Sequence, residues 1–259
     1  MTGISNWEVG GRKLSTIAGA LVQRRHYHAL RQMFRVCGKP HEFLGRYLLG
    51  LGKYPALFDV RTPAGWRKVT LYSHHDLLTV NEIFCREDYA ADQGLRIVVD
   101  FGSNIGLSAF YFLTRNRNCR VFCYEPVPRN GERLLGQLSE FSDRFQFEAV
   151  CVGTHNGQVR FGVEETGRYG GIGVATGKEA TFPCRDVNSI LADVFASDVS
   201  EIDILKSDME GIDEAVLKHV RPEYLARIRV IYAEMIGTGV SLPGFRQSQR
   251  GLISKWERT

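Results

Sequence analysis

The segment IVVDFGSNIGLSAFYF, residues 97–112, sets a carboxylate at the mouth of a glycine turn. A β-branched run ends in Asp100. Gly102, Ser103, Asn104 and Gly106 then lead into a second apolar run of helical character. A strand, a tight loop and a helix in that order hold nucleotide-like ligands, because loop N–H groups and the helix start face the ligand. A dinucleotide fingerprint has a glycine where Asn104 stands, and a carboxylate at Asp100 would repel a pyrophosphate at close range. S-adenosylmethionine removes both objections. It has no phosphate, and its methionine end carries an ammonium and a sulfonium that Asp100 can balance directly or through water. Gly102 permits close backbone approach, and the start of the following helix suits the ligand's carboxylate.

Two further acidic positions fit the same ligand. Glu125 ends the apolar run VFCY nineteen residues after Gly106, where an acid at the tip of a second strand accepts hydrogen bonds from ribose hydroxyls. This feature by itself also suits NAD; combined with the Asp100 loop it favours S-adenosylmethionine. Glu148 follows a third run and is placed to accept from an adenine amino group. Downstream, EIDILKSDMEGIDEAVL carries Lys206, Asp208 and Glu210 at alternate positions, so a continuing strand would turn all three to one face. Asp213 and Glu214 fall in the first turn of the next helix and complement its dipole. His155 and the pair His74 and His75 are outlying candidates for acid–base work.

The elements that must position these groups alternate. Strands are expected at Arg96–Asp100, Arg120–Glu125, Phe145–Ala149, Ile202–Asp208 and Arg229–Glu234, with helices at Gly106–Thr114, Pro128–Ser139 and Gly211–His219. That alternation predicts an α/β fold with a doubly wound, mostly parallel sheet. Residues 14–37 have helical spacing, stopped by Gly38 and Pro40, and a second helix is expected over 42–49. A hairpin follows around Pro63-Ala64-Gly65, so residues 1–80 read as an N-terminal cap of helices and a hairpin. Residues 81–235 read as the ligand-binding domain. Residues 236–259 show no strand period and read as an irregular tail. The Gly-rich stretch between 150 and 193 reads as strand pairs and a flexible loop over the ligand crevice.

Composition is that of a globular protein, 44% hydrophobic and 24% charged over 259 residues. The net charge of +4 says little, but residues 1–58 hold nine Lys or Arg against two Glu. That basic segment could face an anionic partner or membrane, or be a solvated helix face. The six cysteines form no CxxC pair and lie in apolar runs; buried free thiols in a reducing cytoplasm are expected, with no metal site. The longest apolar patch near the start is too short to span a membrane.

Taken together, NEIFCREDY (81–89), VVDFGSNIG (98–106), YEP (124–126), RDVNSILAD (185–193), IDILKSDMEG (202–211) and IYAEM (231–235) resemble the FkbM-type methyltransferases, a branch of the class I S-adenosylmethionine-dependent superfamily. The resemblance covers roughly residues 58–235, and an Asn in the cofactor loop is usual in that family. It implies methyl transfer to a hydroxyl of a sugar or natural product, with a small-molecule or glycan acceptor; without a recognised RNA-binding signature no nucleic acid is expected, and without a long apolar segment no membrane span. A hydroxyl is a weak acid, so a base or metal helps its attack. Asp208 is the first candidate for that base and Glu210 the second; Lys206 either orients these carboxylates or neutralises them. The chain departs from the family after the fifth strand, where a helix and an antiparallel strand pair are normal and a His gives way to Ile236. That departure leaves room for a non-catalytic cofactor-binding or partner module, and the basic N-terminal segment for a nucleic-acid methyltransferase.

Overall fold

The computed structural model describes residues 8–9, 12–13, 24–163, 170–172, 179–209, 211–235 and 239–259, and divides the chain into a unit of residues 1–90 and one of residues 91–259. In the first unit, β1 (Glu8–Val9) pairs with β2 (Arg12–Lys13), and α1 (Arg24–Val36) and α2 (Pro40–Leu49) follow. Ala29 and Met33 of α1 are buried one turn apart, and Cys37 continues their stripe. Pro40 opens α2, where its missing N–H costs nothing, and Gly50 closes it in the left-handed conformation (φ 65°). β3 (Ala56–Thr62) and β4 (Gly65–Leu71) form the expected hairpin, whose inner face carries Phe58, Val60, Val69 and Leu71. Next comes α3 (His74–Val80), opened by a reciprocal cap between Ser73 and Asp76, and it runs into a π-helical turn at Asn81–Cys85. The part of the first expected helix before Arg24 lies outside the described residues.

The second unit is an α/β sheet. β5 (Ile97–Phe101), α4 (Leu107–Leu113), β6 (Arg120–Tyr124), α5 (Pro128–Gln137) and β7 (Phe145–Glu148) come first. A smaller sheet follows, made of β8 (Cys151–Gly153), β9 (Gly157–Val163), β10 (Gly170–Ile172) and β11 (Glu179–Asp186) in the order β10-β9-β11-β8. Then come α6 (Val187–Ala196), β12 (Ile202–Ser207), α7 (Asp213–His219), α8 (Pro222–Leu225), β13 (Ile228–Glu234), β14 (Phe245–Arg250) and β15 (Ile253–Arg258). The main sheet has the order β14-β15-β13-β12-β5-β6-β7, and β15 alone runs against its neighbours. Every residue of β5 is buried, and α4 is buried all round, so the centre of the sequence signal is also the centre of the core. Counted in chain order, the seven strands run 3-2-1-4-5-7-6. The order reverses between β5 and β12, and a doubly wound sheet opens its ligand crevice beyond the carboxyl ends of such a pair.

The C-terminal residues correct the expectation of an irregular tail. β14 and β15 pair over six residues each, and β15 inserts beside β13, which supplies the antiparallel pair that closes the sheet. Strand period is faint here because β14 is an edge strand, with most of FRQSQR exposed, and needs no apolar face. β15 carries the anchor instead: Trp256 is buried, and its Nε1 donates to Val240 O at 3.2 Å. The turn is a two-residue Gly-X loop, with Gly251 at φ 67° and Arg250 facing Ile253. Ile236 lies outside the described residues. The Gly-rich stretch is the small sheet; residues 164–169 and 173–178 are likewise outside the description.

Candidate functional site

The turn after β5 is held from both sides. Gly102 and Ser103 both donate their N–H groups to Tyr124 O at the end of β6, each at 3.0 Å, while Asp208 N donates to Phe101 O at 3.1 Å. Ser103 Oγ donates to Asp100 O at 2.7 Å and accepts from Tyr124 N at 3.1 Å, which staples β5 to β6. Three alternate residues are left-handed: Gly102 (φ 72°), Asn104 (φ 47°) and Gly106 (φ 85°). A Cβ on Gly102 would stand 2.0 Å from Asp208 O, so only glycine fits between the two loops. Asn104 is exposed and needs only left-handed tolerance, which Asn has among non-glycine residues; that is why the middle glycine of a dinucleotide loop is dispensable here.

Beneath the turn lies an ionic trio. Asp100 and Lys206 are direct partners across the parallel pair β5–β12. Lys206 Nζ stands 3.0 Å from Asp100 Oδ1 and 3.5 Å from Asp208 Oδ2, and donates to Gly102 O at 3.2 Å. Ser108 Oγ of α4 donates to the other Asp100 oxygen at 2.6 Å. Burial alone would lower the Lys206 pKa, but the carboxylates of Asp100 and Asp208 outweigh it and hold it above the ordinary lysine value. Asp100 itself lies beneath the turn. Its carboxylate is wholly buried, and its charge is met by Lys206 inside the protein. Asp208 is the carboxylate of the trio that reaches solvent, with 28% of its side chain exposed. Two carboxylates share one ammonium, so the trio is a net anion.

Glu125 follows β6 and faces the same turn. Its Oε2 accepts from Asn104 N at 3.0 Å, and its Oε1 accepts from Val127 N at 3.0 Å and Asn130 Nδ2 at 3.3 Å. Burial raises its pKa against the pull of these hydrogen bonds. A carboxylate oxygen has two lone pairs, so Oε2 can accept from a ligand hydroxyl while keeping Asn104 in place. Glu148, at the end of β7, is more exposed and is paired with Arg185 Nη1 at 2.7 Å; the same guanidinium reaches Asp193 Oδ2 at 2.5 Å. The RDVNSILAD segment thus closes on itself through its first and last charged residues.

Several participants escape the sequence reading. Asp213 is buried, accepts from Ser207 Oγ at 2.6 Å and from Met209 N at 3.2 Å, and so clamps the loop that carries Asp208. Burial pushes its carboxyl up. Its place in a first helical turn suggested a dipole role; the buried Ser207 before it was the missed signal. Ser108 was hidden in an apolar run, although a lone hydroxyl inside an all-buried helix has to find a partner. Glu214 is simply paired with Lys218. Glu210 lies outside the described residues. His155 is exposed in the turn between β8 and β9, and His74 and His75 belong to the first unit. No group of acids, histidines and cysteines among the described residues could hold a metal ion, and all six cysteines are buried free thiols.

These residues fit S-adenosylmethionine on physical grounds. Glycine at 102 lets the turn close against the Asp208 carbonyl, the trio beneath the turn carries net negative charge, and its lysine is already committed to Asp100. No family model and no curated protein matches the chain. Solved structures similar to it include an rRNA methylase from Streptococcus thermophilus (9% identity, TM-score 0.38, covering 66% of this chain and 90% of that one). A methyltransferase from Geobacter sulfurreducens is 17% identical, with TM-score 0.39 and coverage of 64% and 72%. The human methyltransferase 10 domain containing protein is 14% identical, with TM-score 0.36 and coverage of 69% and 78%. Identities and scores this low leave the functional reading to the site's own geometry.

Proposed function

We propose that the chain is an S-adenosylmethionine-dependent methyltransferase acting on a hydroxyl of a sugar or natural-product acceptor. The observation that carries this reading is the glycine turn at the switch point of the sheet, set between the buried acceptor Glu125 and the anionic Asp100–Lys206–Asp208 trio. A phosphate ligand would meet that negative charge, whose lysine is already held by Asp100 and Asp208, whereas a ligand bearing a sulfonium gains from it. Glu125 would take the ribose hydroxyls, and Glu148 would lie toward the adenine while keeping its bond to Arg185. S-adenosylmethionine, when bound, supplies an electrophilic methyl group. The chain's own part is to hold the acceptor oxygen in line and draw off its proton. Asp208 is the carboxylate available for that task, held by Lys206 on one side and by the Asp213 clamp on the other. The non-catalytic alternative rested on an incomplete sheet, and β14–β15 completes it.

Calorimetric titration with S-adenosylmethionine, S-adenosylhomocysteine and NAD tests the reading. The two adenosyl ligands should bind and NAD should not; binding of NAD alone would overturn it. Glu125→Ala should weaken S-adenosylmethionine at least about tenfold, the loss expected when a buried acceptor leaves ligand hydroxyls unpaired.

A further inference from the structure

The helices of the first unit carry two apolar faces where one would suffice. On α1, Ala29 and Met33 are buried, yet Tyr27, Leu30 and Phe34 recur at i, i+3 and i+7 on the other side with relative exposures of 57%, 39% and 45%. Phe34 meets His41 edge-on at 5.1 Å, which carries the stripe onto α2. There His41, Gly45, Leu48 and Leu49 share one side, with Leu51 just beyond. A Cβ on Gly45 would meet nothing within 4 Å, so that side is open. Eight of the ten large hydrophobic side chains exposed among the described residues fall in residues 1–90.

Charge follows the same stripe. Residues 1–90 hold thirteen Lys or Arg against seven Asp or Glu, so the first unit is +6 in a chain of +4. α1 has no acidic residue, and Arg31 and Arg35 are exposed beside Leu30 and Phe34. Lys39 is exposed between the helices, 3.8 Å from Glu42, the one acid on α2, whose other oxygen is taken up by Arg46 at 2.8 Å. A self-complementary contact between two copies would press these like charges together. Nucleic acid would meet the arginines but gain nothing from Leu48, Leu49 and Leu51, which neither stack on bases nor bond to them. A lipid surface uses both: leucines and aromatics enter the headgroup boundary while cations meet the lipid phosphates.

We propose that α1 and α2 form a docking surface for an anionic membrane, with the Tyr27–Leu30–Phe34 and Leu48–Leu49–Leu51 stripes dipping into the boundary and Arg31, Arg35 and Lys39 pairing with acidic headgroups. The test is co-sedimentation of the full chain with vesicles of phosphatidylcholine alone and of phosphatidylcholine with about a third phosphatidylglycerol, with single-stranded RNA as competitor. The full chain should pellet with the anionic vesicles only. Arg31→Gln with Arg35→Gln should weaken that partition about thirtyfold, from roughly one lipid-facing cation's worth of attraction at each position. Leu30→Ser with Phe34→Ser should weaken it roughly tenfold. Thermal melts report whether each pair of changes leaves the fold intact. Should either variant unfold, the full chain decides the matter by itself, because its pelleting must fall between about 0.15 and 0.5 M salt. Equal pelleting with both vesicle types, no pelleting, release by RNA, or a dimer that the serine variant abolishes would each overturn the proposal.

Discussion

Lys206 and Asp100 show how one buried residue can look like another's ligand. Both side chains are essentially sealed from water, and each is tolerable there only because the other stands 3.0 Å away. Lys206→Met keeps the volume and leaves the carboxylate buried without its cation, which should cost about 3–5 kcal/mol in urea unfolding. Asp100→Asn should be less harmful, since Ser108 can still donate to the amide oxygen. The double variant should be more stable than Lys206→Met alone; simple addition of the two losses would show that the pair is not coupled. Residue types were legible here and their partners were not. The alternation of Lys206 and Asp208 was plain in the sequence, and so was the carboxylate at Asp100. What could not be read was the register that sets Lys206 opposite Asp100 across β5–β12, because strand neighbours are chosen by packing a hundred residues apart.

At the scale of elements, α6 is anchored at its start by a single carboxylate. Asp186 accepts from Asn188 N at 2.8 Å and Ser189 N at 3.3 Å, and its other oxygen meets His219 Nε2 at 2.8 Å, which ties α6 to α7. Burial works against the charged form, but these partners outweigh it and lower the pKa below the ordinary 3.8. A depressed acid stabilises the fold above its unfolded value, and that contribution fades as pH falls through the folded one. Asp186→Ala should therefore cost about 1 kcal/mol at neutral pH, as the loss of a cap does, with the penalty shrinking in strong acid. Chemical unfolding at neutral pH and again below pH 3.8 measures both limbs; a penalty that grows on acidification would refute the assignment. The five parallel strands β5, β6, β7, β12 and β13 were visible in the sequence because their apolar runs are strong, and α4, α5 and α7 because each begins at or just after a Gly or Pro. α3 was not, for no Gly or Pro marks either end of its seven residues.

The whole second unit turns on its last strands. β15 has three buried positions, Ile253 on one face and Ser254 and Trp256 on the other, and Trp256 belongs to the same core as Val216 and Leu217 of α7 and Ile231 of β13. Val240 and Leu242, on the segment returning from β13, pack into that core too, and Val240 O takes the indole N–H. Without this hairpin β13 would be an edge, an apolar strand with open N–H and C=O groups, which invites pairing with other chains. With it, the edge is β14, whose Arg246, Gln249 and Arg250 are exposed and resist such pairing. The sequence hid this because a single tryptophan does the work that a run of β-branched residues does elsewhere. Trp256→Ala removes a wholly buried side chain and should cost about 3–5 kcal/mol, while Trp256→Phe, which keeps most of the apolar area but loses the bond to Val240, should cost less. Hydrogen exchange sets the location of the damage. Protection should fall first in β15 and then in β13, and only later in β5, since the opening spreads inward from the strand that lost its anchor. Exchange that rose equally across all seven strands would instead make the hairpin an inseparable part of one cooperative sheet.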